Sequence, residues 1–290
     1  MKSALRKDLE DTNGSYTVRE QVEPHFDPNW HFHPHYQISF VVEGTGTRFV
    51  GDSIESFSDG DLVLLGPNVP HLWRSDQRYH EEQSDLTTKV IVVYFAEDFL
   101  GEAFFSRPEM VYLIQLLKTS GRGLHWFGQT QRLIARTMQV MAKEPPTFQR
   151  LLMFLDLLDQ LAHSTEYEPL TSPGYSNTMK PSETKRMQVV HSFVMENSRE
   201  TISLHAVADR VGMSPSAFSR YFKLHANKTF SEFITEIRVG QACKLLMEDN
   251  LNVTQISYDC GFQTQSNFNR LFKQVTTLTP SQYKKSYRLV

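Results

Sequence analysis

A pattern of apolar residues with helical spacing occurs twice near the C-terminal end of the chain. In the first copy the residues are Leu204, Val207, Ala208 and Val211, followed by Gly212. In the second copy, 49 residues further on, they are Val253, Ile256, Ser257 and Cys260, followed by Gly261. Spacings of i, i+3, i+4 and i+7 indicate the buried stripe of a short helix, and glycine suits a left-handed helix end. Each copy therefore predicts a helix and a tight turn.

A second helix is predicted after each turn. Ser214 and Thr264 supply an oxygen at the N-cap position, and Pro215 suits the first helical position. Aromatic residues of the second helix are expected to pack on the first, which leaves a polar face directed outward. The outward residues are Ser216, Ser219, Arg220 and Lys223 in one copy and Ser266, Asn269, Arg270 and Lys273 in the other.

These outward faces combine short polar side chains with Arg and Lys, the types that contact base edges and phosphates in DNA. Two copies at one spacing predict two helix-turn-helix units, which would enter successive major-groove segments about 34 Å apart. The alternative is that both are ordinary amphipathic helix pairs with solvated faces.

The first part of the chain, about residues 14–95, follows a period of two. Short segments such as QISFVVEG, TRFVGDS, DLVLLGP and KVIVVYF are separated by Gly, Asp and Pro turns, which predicts a small β-barrel or sandwich. Amphipathic helices are predicted over residues 129–141 and 148–161. The apolar stripe of the second of these fits packing within its own domain and a dimer contact equally well.

A segment rich in Pro, Ser and Thr separates the two patterns, and it predicts a linker over residues 165–182. We therefore expect a first domain over residues 1–164 and a second over residues 183–290. The expected fold class is α+β, with a β-barrel and appended helices in the first domain and an all-α second domain that contains both helix-turn-helix units.

Charge is divided unevenly between these domains. The whole chain has a formal net charge of −3, but residues 181–290 contain 14 Lys and Arg against 9 Asp and Glu. The rest of the chain contains 16 against 24. A basic C-terminal part is consistent with attraction to a phosphate backbone.

The chain contains no sequence motif typical of other classes of function. It shows no phosphate loop, dinucleotide fingerprint or nucleophile motif, so we expect no catalytic residue, no cofactor and no enzyme activity. No apolar run approaches the roughly 18 residues that span a bilayer, and the first residues do not form a secretory signal, which predicts a cytoplasmic protein without a membrane partner. Cys243 and Cys260 fall at apolar helix positions and are expected to be buried, reduced thiols.

The C-terminal part, residues 181–288, resembles the DNA-binding domain of the AraC/XylS family of bacterial transcription regulators. The resemblance rests on the connecting segment SEFITEIRVGQACKLL and the ending GFQTQSNFNRLFKQVTTLTPSQYKK. It implies binding to double-stranded promoter DNA, recruitment of RNA polymerase and a homodimer. It also implies base contacts by Ser216, Ser219, Arg220, Gln265, Ser266, Asn269 and Arg270, with phosphate contacts by Lys223 and Lys273.

One departure from this family pattern concerns the last turn. Thr277 stands where the family usually has Gly, and a β-branched residue in the left-handed region costs on the order of 1 kcal/mol. We therefore expect this turn to adopt a different shape, whereas Asn227 at the matching place in the first copy tolerates the left-handed region.

A cluster of histidines marks the β-rich part. His31, His33 and Gln37 share one strand parity, and His71 follows the segment DGDLVLLGPNVP. This arrangement resembles the cupin barrel, with the three histidines at the metal-ligand positions of that family and Gln37 where Glu is usual. Cupin barrels are also the usual sensory domains of these regulators.

Three interpretations of the cluster remain open. The candidate metal ligands His31, His33, Gln37 and His71 lack the carboxylate that would offset a divalent ion, so no metal is expected. A polar lining for a small-molecule effector such as a sugar is favoured. Its residues would be His31, His33, Gln37, Arg48, His71 and Trp73. Satisfied core histidines in an empty barrel are the third interpretation.

Taken together, these patterns predict a ligand-responsive, sequence-specific transcription regulator that activates an operon for carbohydrate or small-metabolite use. The alternatives are a metal-dependent cupin enzyme fused to a DNA-binding tail and a regulator that needs no effector.

Overall fold

The computed structural model describes residues 15–177, 181–248 and 251–287 of the chain. The chain divides into two compact units. The first extends to residue 177 without residues 54–56, and the second comprises those three residues and the chain from residue 178 onward. None of the helices in the described part combines the length and the apolar character needed to cross a membrane.

The first unit is built on two antiparallel sheets. The strands are β1 Tyr16–Glu23, β2 Tyr36–Glu43, β3 Gly46–Val50, β4 Ser53–Phe57, β5 Leu62–Leu65, β6 His71–Ser75, β7 Thr88–Phe95, β8 Leu124–Trp126 and β9 Tyr167–Pro169. One sheet has the order β1-β7-β2-β5-β8-β9, and the other has the order β4-β3-β6. The β-rich architecture that the alternating segments predict is confirmed.

The larger sheet is covered on both faces. One face contributes Val41, Val63 and Leu65 to a core that it shares with Val50 and Trp73 of the smaller sheet. The other face packs against helices. These helices are α1 Glu102–Phe105, α2 Val111–Thr119, α3 Gly128–Lys143 and α4 Phe148–His163. The two helices predicted before the linker are therefore confirmed as α3 and α4.

The apolar stripe of α4 divides between two environments. Phe154, Leu157, Leu158 and Leu161 are all fully buried in the core. Phe148 and Leu152, in contrast, are exposed over 73% and 42% of their surface. Packing within the domain thus explains only part of the stripe.

The predicted linker over residues 165–182 is wrong in its first part. β9 pairs with β8, with Trp126 opposite Tyr167 and Leu124 opposite Pro169. Leu170 and Thr171 after it are buried. A proline is tolerated here because β9 lies at the edge of the sheet, where one row of backbone groups needs no strand partner. Residues 165–177 belong to the first unit, and residues 178–180 of the predicted linker lie outside the described residues.

The described part of the second unit from residue 181 onward is built from helices, whereas its residues 54–56 lie in β4. The helices are α5 Pro181–Asn197, α6 Leu204–Arg210, α7 Pro215–Ala226, α8 Phe230–Glu248, α9 Val253–Asp259, α10 Gln265–Thr276 and α11 Pro280–Tyr287. The pairs α6–α7 and α9–α10 are the two predicted helix-turn-helix units, and α8 connects them. Phe218 and Phe222 of α7 are fully buried, as are the matching Phe268 and Phe272 of α10.

Both cysteines are buried and free, as expected. Burial raises the pKa of the Cys243 thiol to about 11 and that of the Cys260 thiol to about 12. Both side chains lie in the core between α8 and the second helix-turn-helix unit. They act there as small apolar groups.

The turn at Thr277 contradicts the expectation of a different shape. Thr277 adopts the left-handed region with φ 65° and ψ −14°, as Asn227 does with φ 53° and ψ 18°. Its N–H donates to the Lys273 carbonyl at 2.9 Å, and its hydroxyl donates to the Thr276 carbonyl at 2.6 Å. These hydrogen bonds offset a conformational cost of about 1 kcal/mol, so the turn keeps its shape without a glycine.

The two turn glycines provide a matched pair of substitutions. Gly261 has φ 81°, and a Cβ added there would lie 2.7 Å from the Arg199 carbonyl oxygen and 2.8 Å from that of Ser198. At Gly212, with φ 67°, an added Cβ meets no described heavy atom within 4 Å. We expect Gly261→Ala to reduce the free energy of unfolding by about 3 kcal/mol and Gly212→Ala by only about 1 kcal/mol.

Urea unfolding of the full-length protein, followed by circular dichroism at a helical wavelength, measures both changes. Equal losses of stability in the two variants would contradict the backbone clash at Gly261.

Candidate DNA-binding face and ligand cavity

The second helix of each helix-turn-helix unit, α7 or α10, is called its recognition helix. Both recognition helices begin where the sequence predicts. The Ser214 hydroxyl accepts a hydrogen bond from the Ala217 N–H at 3.3 Å, and the Thr264 hydroxyl accepts one from the Asn267 N–H at 3.3 Å. Each cap satisfies a backbone donor of the first turn, which would otherwise have no partner within the helix.

The structure brings each predicted outward set to one exposed helix face. The exposed residues are Ser216, Ser219, Arg220 and Lys223 on α7 and Ser266, Asn269, Arg270 and Lys273 on α10. Gln265, at the start of α10, is partly buried. The faces stay accessible because the aromatic residues on the opposite side of each helix fill the core.

Asn267 extends the α10 face beyond the predicted set. Its side chain is exposed, and its Oδ1 accepts a hydrogen bond from Arg270 Nη2 at 3.0 Å. The i, i+3 spacing from Arg270 is the signal that could have identified it. This contact holds the guanidinium of Arg270 along the exposed face.

The histidine cluster of the first unit lies beside a cavity of about 70 Å³. His31, Gln37, His71 and Trp73 line this cavity, together with Tyr94. His33 lies directly behind them, with its ring centroid 5.2 Å from that of His71 and 5.4 Å from that of Tyr94. The structure thus brings five of the six predicted ligand residues together.

The three histidine rings are oriented by backbone carbonyls. Nδ1 lies 2.7 Å from the Asn29 oxygen in His31, 3.0 Å from the His35 oxygen in His33 and 2.8 Å from the Val69 oxygen in His71. Because a carbonyl can only accept, Nδ1 carries the hydrogen in each neutral ring and Nε2 keeps a lone pair. One potential ligand atom from each ring lies within 4.8 Å of the others, a geometry that could suit a metal ion.

The side chain of Gln37 makes the histidine cluster less suited to a metal ion. Burial lowers the pKa of His33 to about 4, so this ring is neutral at pH 7. Gln37 Oε1 lies 2.8 Å from His33 Nε2, and Gln37 Nε2 lies 2.6 Å from Ser39 Oγ. Because a neutral His33 with its hydrogen on Nδ1 can only accept at Nε2, the chemistry requires the flipped amide, with its nitrogen toward Nε2 and its oxygen toward the Ser39 hydroxyl. The amide then uses the lone pair that a metal would need, and it brings no negative charge.

Arg48 is the predicted ligand residue that the structure does not bring into this group, and neither it nor His33 lines the cavity. Its side chain is buried, and its guanidinium forms an ion pair with the Asp61 carboxylate. Trp73 Nε1 also donates to Asp61, at 3.0 Å. The buried carboxylate thus holds the guanidinium that was expected to line the ligand site.

Asp61 is a site residue that the sequence reasoning missed. Besides Arg48 and Trp73, it faces His125 of β8, whose Nε2 lies 3.5 Å from Oδ1. His125 Nδ1 lies 3.3 Å from the Glu168 carboxylate on β9. A carboxylate between Gly60 and a strongly apolar strand was the available signal, since a buried acid requires partners. This polar chain connects the cavity wall to the last strand of the first unit.

Comparisons with known proteins agree with both halves of this description. Residues 207–286 match a helix-turn-helix domain, and residues 18–78 match a cupin domain. The HTH-type transcriptional activator RhaS of Escherichia fergusonii is 25% identical over 265 residues, which cover 88% of this chain and 86% of that protein. An uncharacterized HTH-type transcriptional regulator in the cgkA 5′ region of Pseudoalteromonas carrageenovora is 36% identical over 95 residues, covering 33% of this chain and 56% of that protein.

Among solved structures, a transcriptional regulator of Chromobacterium violaceum with an AraC-type DNA-binding domain is 26% identical. It covers 37% of this chain and 94% of its own, with a TM-score of 0.34, which by itself does not support a common fold. The assignment therefore rests on the two domain matches, on the similarity to RhaS and on the duplicated motif. The chain is similar over most of its length to the transcriptional activator RhaS and combines a helix-turn-helix domain with an N-terminal cupin domain, an arrangement consistent with a regulator of the AraC/XylS type.

Proposed function

We propose that this protein is a ligand-responsive, sequence-specific transcription regulator that activates an operon for the use of a carbohydrate or another small metabolite. The observation that carries the proposal is the pair of exposed faces on α7 and α10, each composed of short polar side chains, an arginine and a lysine. Relatives named as transcriptional activators support an activating role. Binding of bacterial promoter DNA and recruitment of RNA polymerase would take place in the cytoplasm.

The two faces would divide the work of recognition. Gln265, Ser266, Asn269 and Arg270 offer amide, hydroxyl and guanidinium groups to base edges, whereas the α7 face offers mainly two serines and Arg220. More sequence preference should therefore come from α10. Lys223 and Lys273 lie one turn further along their helices and would contact phosphates without reading sequence.

Two substitutions on α10 test the DNA-binding proposal. Arg270→Ala should weaken operator binding by about 1 to 3 kcal/mol and relax the preference at one base position. Lys273→Ala should weaken binding to all sequences alike and lower the slope of log K against log salt by about 1. Fluorescence anisotropy with operator and scrambled duplexes over a range of salt concentrations measures both effects. Arg19→Ala, at an exposed arginine of β1, is the matched control, and unchanged binding in the α10 variants would refute the proposed recognition face.

The effector would bind in the barrel cavity. Imidazole, amide and indole groups suit a hydroxyl-rich ligand, and the indole face of Trp73 would pack on an apolar sugar face. The cavity of about 70 Å³ is smaller than the roughly 300 to 1,000 Å³ of most small-molecule pockets, so wall side chains would have to move. Such movement at Trp73 would reach β9 through Asp61, His125 and Glu168.

A carbohydrate panel tests the effector proposal. We expect a sugar to raise the melting temperature of the full-length protein, because a ligand that binds only the folded state stabilises it. Gln37→Leu should abolish the shift while operator binding without the sugar is retained. A shift with other metabolites alone would disprove the sugar proposal, and no shift with any metabolite would favour the regulator that needs no effector.

The rival cupin enzyme needs a bound metal ion. The amide of Gln37 occupies the lone pair of His33 and supplies no compensating charge, which argues against that chemistry at this cluster. The relatives that cover most of the chain are transcription regulators. We therefore propose that the barrel binds a ligand and does not catalyse a reaction.

The exposed apolar residues of α3 and α4 would form a homodimer contact. Phe148 and Leu152 of α4 are exposed over 73% and 42% of their surface, and Leu133 and Val140 of α3 over 46% and 48%. Exposed apolar groups of this number on two adjacent helices are typical of an interaction surface. A dimer would place two DNA-binding units on one promoter.

Sedimentation of the full-length protein tests the dimer. We expect a dimer at tens of micromolar, and we expect the double variant Phe148→Glu and Leu152→Glu to sediment as a monomer because it buries charge in the contact. Val22→Glu, at a residue 55% exposed on the edge strand β1, is the matched control and should remain a dimer. A monomeric parent protein would exclude this contact.

A further inference from the structure

The helical part of the second unit has two halves that share one helix. The first half consists of α5, α6 and α7, the second half consists of α9, α10 and α11, and α8 packs on both. Near the start of α8, Phe233 lies against Phe222 of α7, with the ring centroids 5.2 Å apart. Further along, Val239 and Cys243 join the core of the second half. Each half carries one recognition helix, so the contacts that fix the halves to each other also fix the two DNA-binding faces.

The connection between α5 and α6 belongs to the first half. Tyr221 of α7 donates its hydroxyl hydrogen to the Glu183 carbonyl of α5 at 2.9 Å. The guanidinium of Arg210, at the end of α6, lies over the ring of Phe193 of α5, 4.5 Å from its centroid. Residues 198–200 connect these two helices, so they are held in place by the first half.

Arg238 of α8 binds this connection. Its Nε donates to the Ser198 carbonyl at 2.7 Å, and its Nη2 donates to the Glu200 carbonyl at 2.6 Å. A guanidinium presents its donors in a rigid plane, so the two bonds fix both the distance and the orientation of the connection relative to α8. Gln241, one turn further along α8, donates to the Ser198 hydroxyl at 2.9 Å.

The second half meets the same connection at the turn between α9 and α10. Gly261 approaches it so closely that an added Cβ would lie 2.7 Å from the Arg199 carbonyl oxygen. The next residue, Phe262, has its ring centroid 5.9 Å from the guanidinium carbon of Arg238 and 5.0 Å from the ring centroid of Phe268 in α10. Arg238 therefore contacts the first half and the turn of the second half at once.

The matching glycine of the other copy shows that a helix-turn-helix turn does not itself require such a contact. Gly212 has a left-handed conformation with φ 67°, similar to the φ of 81° at Gly261. An added Cβ at Gly212 would nevertheless meet no described heavy atom within 4 Å. The close packing at Gly261 therefore reflects the joining of the two halves and not the shape of the turn.

We propose that Arg238 is a positioning residue that sets the orientation of α10 relative to α7 and thereby the number of base pairs between the two half-sites, one for each recognition helix. The inference rests on the proposed DNA-binding function. One added base pair turns the second half-site by about 34° and moves it by about 3.4 Å, so two rigidly joined recognition helices cannot follow it. Without the guanidinium, α8 still carries both halves, but their relative orientation is less restricted.

Operator duplexes of altered spacing test the proposal. An operator is selected from a random DNA pool with the full-length parent protein, and its two half-sites are located by single-base substitution. Duplexes with one base pair added or removed between the half-sites are then compared with the selected duplex by fluorescence anisotropy. We expect the parent protein to bind the altered duplexes at least about tenfold more weakly, because only one half-site at a time is in register.

Variants assign the spacing preference to Arg238. In Arg238→Ala the ratio of the two affinities should fall to about threefold or less, and Arg238→Lys should give an intermediate ratio because an ammonium group lacks the planar fork. The ratio is informative because a partly unfolded variant loses affinity for both duplexes alike. Arg210→Ala removes a guanidinium that packs within the first half, so this matched control should keep the parent ratio.

A parent protein that tolerates the altered spacing would overturn the proposal, and so would a parent ratio retained in Arg238→Ala. Base preference within each half-site should be unchanged in Arg238→Ala, since the residue lies outside both recognition helices, and a lost preference would likewise contradict a role in positioning alone. Failure to select any duplex would refute the proposed DNA-binding function as well. A selected operator with a spacing preference that Arg238→Ala leaves intact would refute only the role of Arg238.

Discussion

Backbone hydrogen bonds between β2 and its neighbours β5 and β7 decide which side chains face each side of the larger sheet. Ile38 and Phe40 join the helix-packed core, and Gln37 and Ser39 face the barrel interior. A slip of this register by one residue would exchange the two sets, burying amides among the helices and apolar groups around the histidines. The barrel cavity and its Gln37 contact to His33 both depend on this one register.

In the second unit, the packing of two phenylalanine pairs and the ends of two helices play the comparable role. The phenylalanine pairs of α7 and α10 fill equivalent positions in the two copies, and each recognition helix ends at a residue in the left-handed region. These shared features keep both polar faces accessible. The copies nonetheless differ in their turns, because the chain approaches Gly261 closely and leaves Gly212 open. The duplicated architecture is therefore maintained by different local contacts in each half.

Local sequence signals predicted what depends on neighbours along the chain. Helical periods, caps and strand alternation were sufficient for the two helix-turn-helix units, α3, α4 and the histidine cluster. They failed at β9, where Pro169 and the surrounding Ser and Thr are typical of a linker, because the strand exists only through its pairing with β8.

Contacts between residues that are distant in sequence also explain the errors in the predicted ligand site. The sequence pattern indicated Arg48 as a ligand residue but contained no information about Asp61, which lies 13 residues away in sequence and pairs with it. At Thr277, the left-handed region is unfavourable for a β-branched residue, but two local hydrogen bonds outweigh this cost.

The buried thiols of Cys243 and Cys260 have a practical consequence for spectroscopy. Maleimides and related reagents react with accessible thiolates, and both native thiols are buried with pKa values far above neutral. A cysteine introduced at an exposed position would therefore react selectively in the unmodified background. The protein is suited to single-site fluorescent or spin labelling without prior removal of its own cysteines.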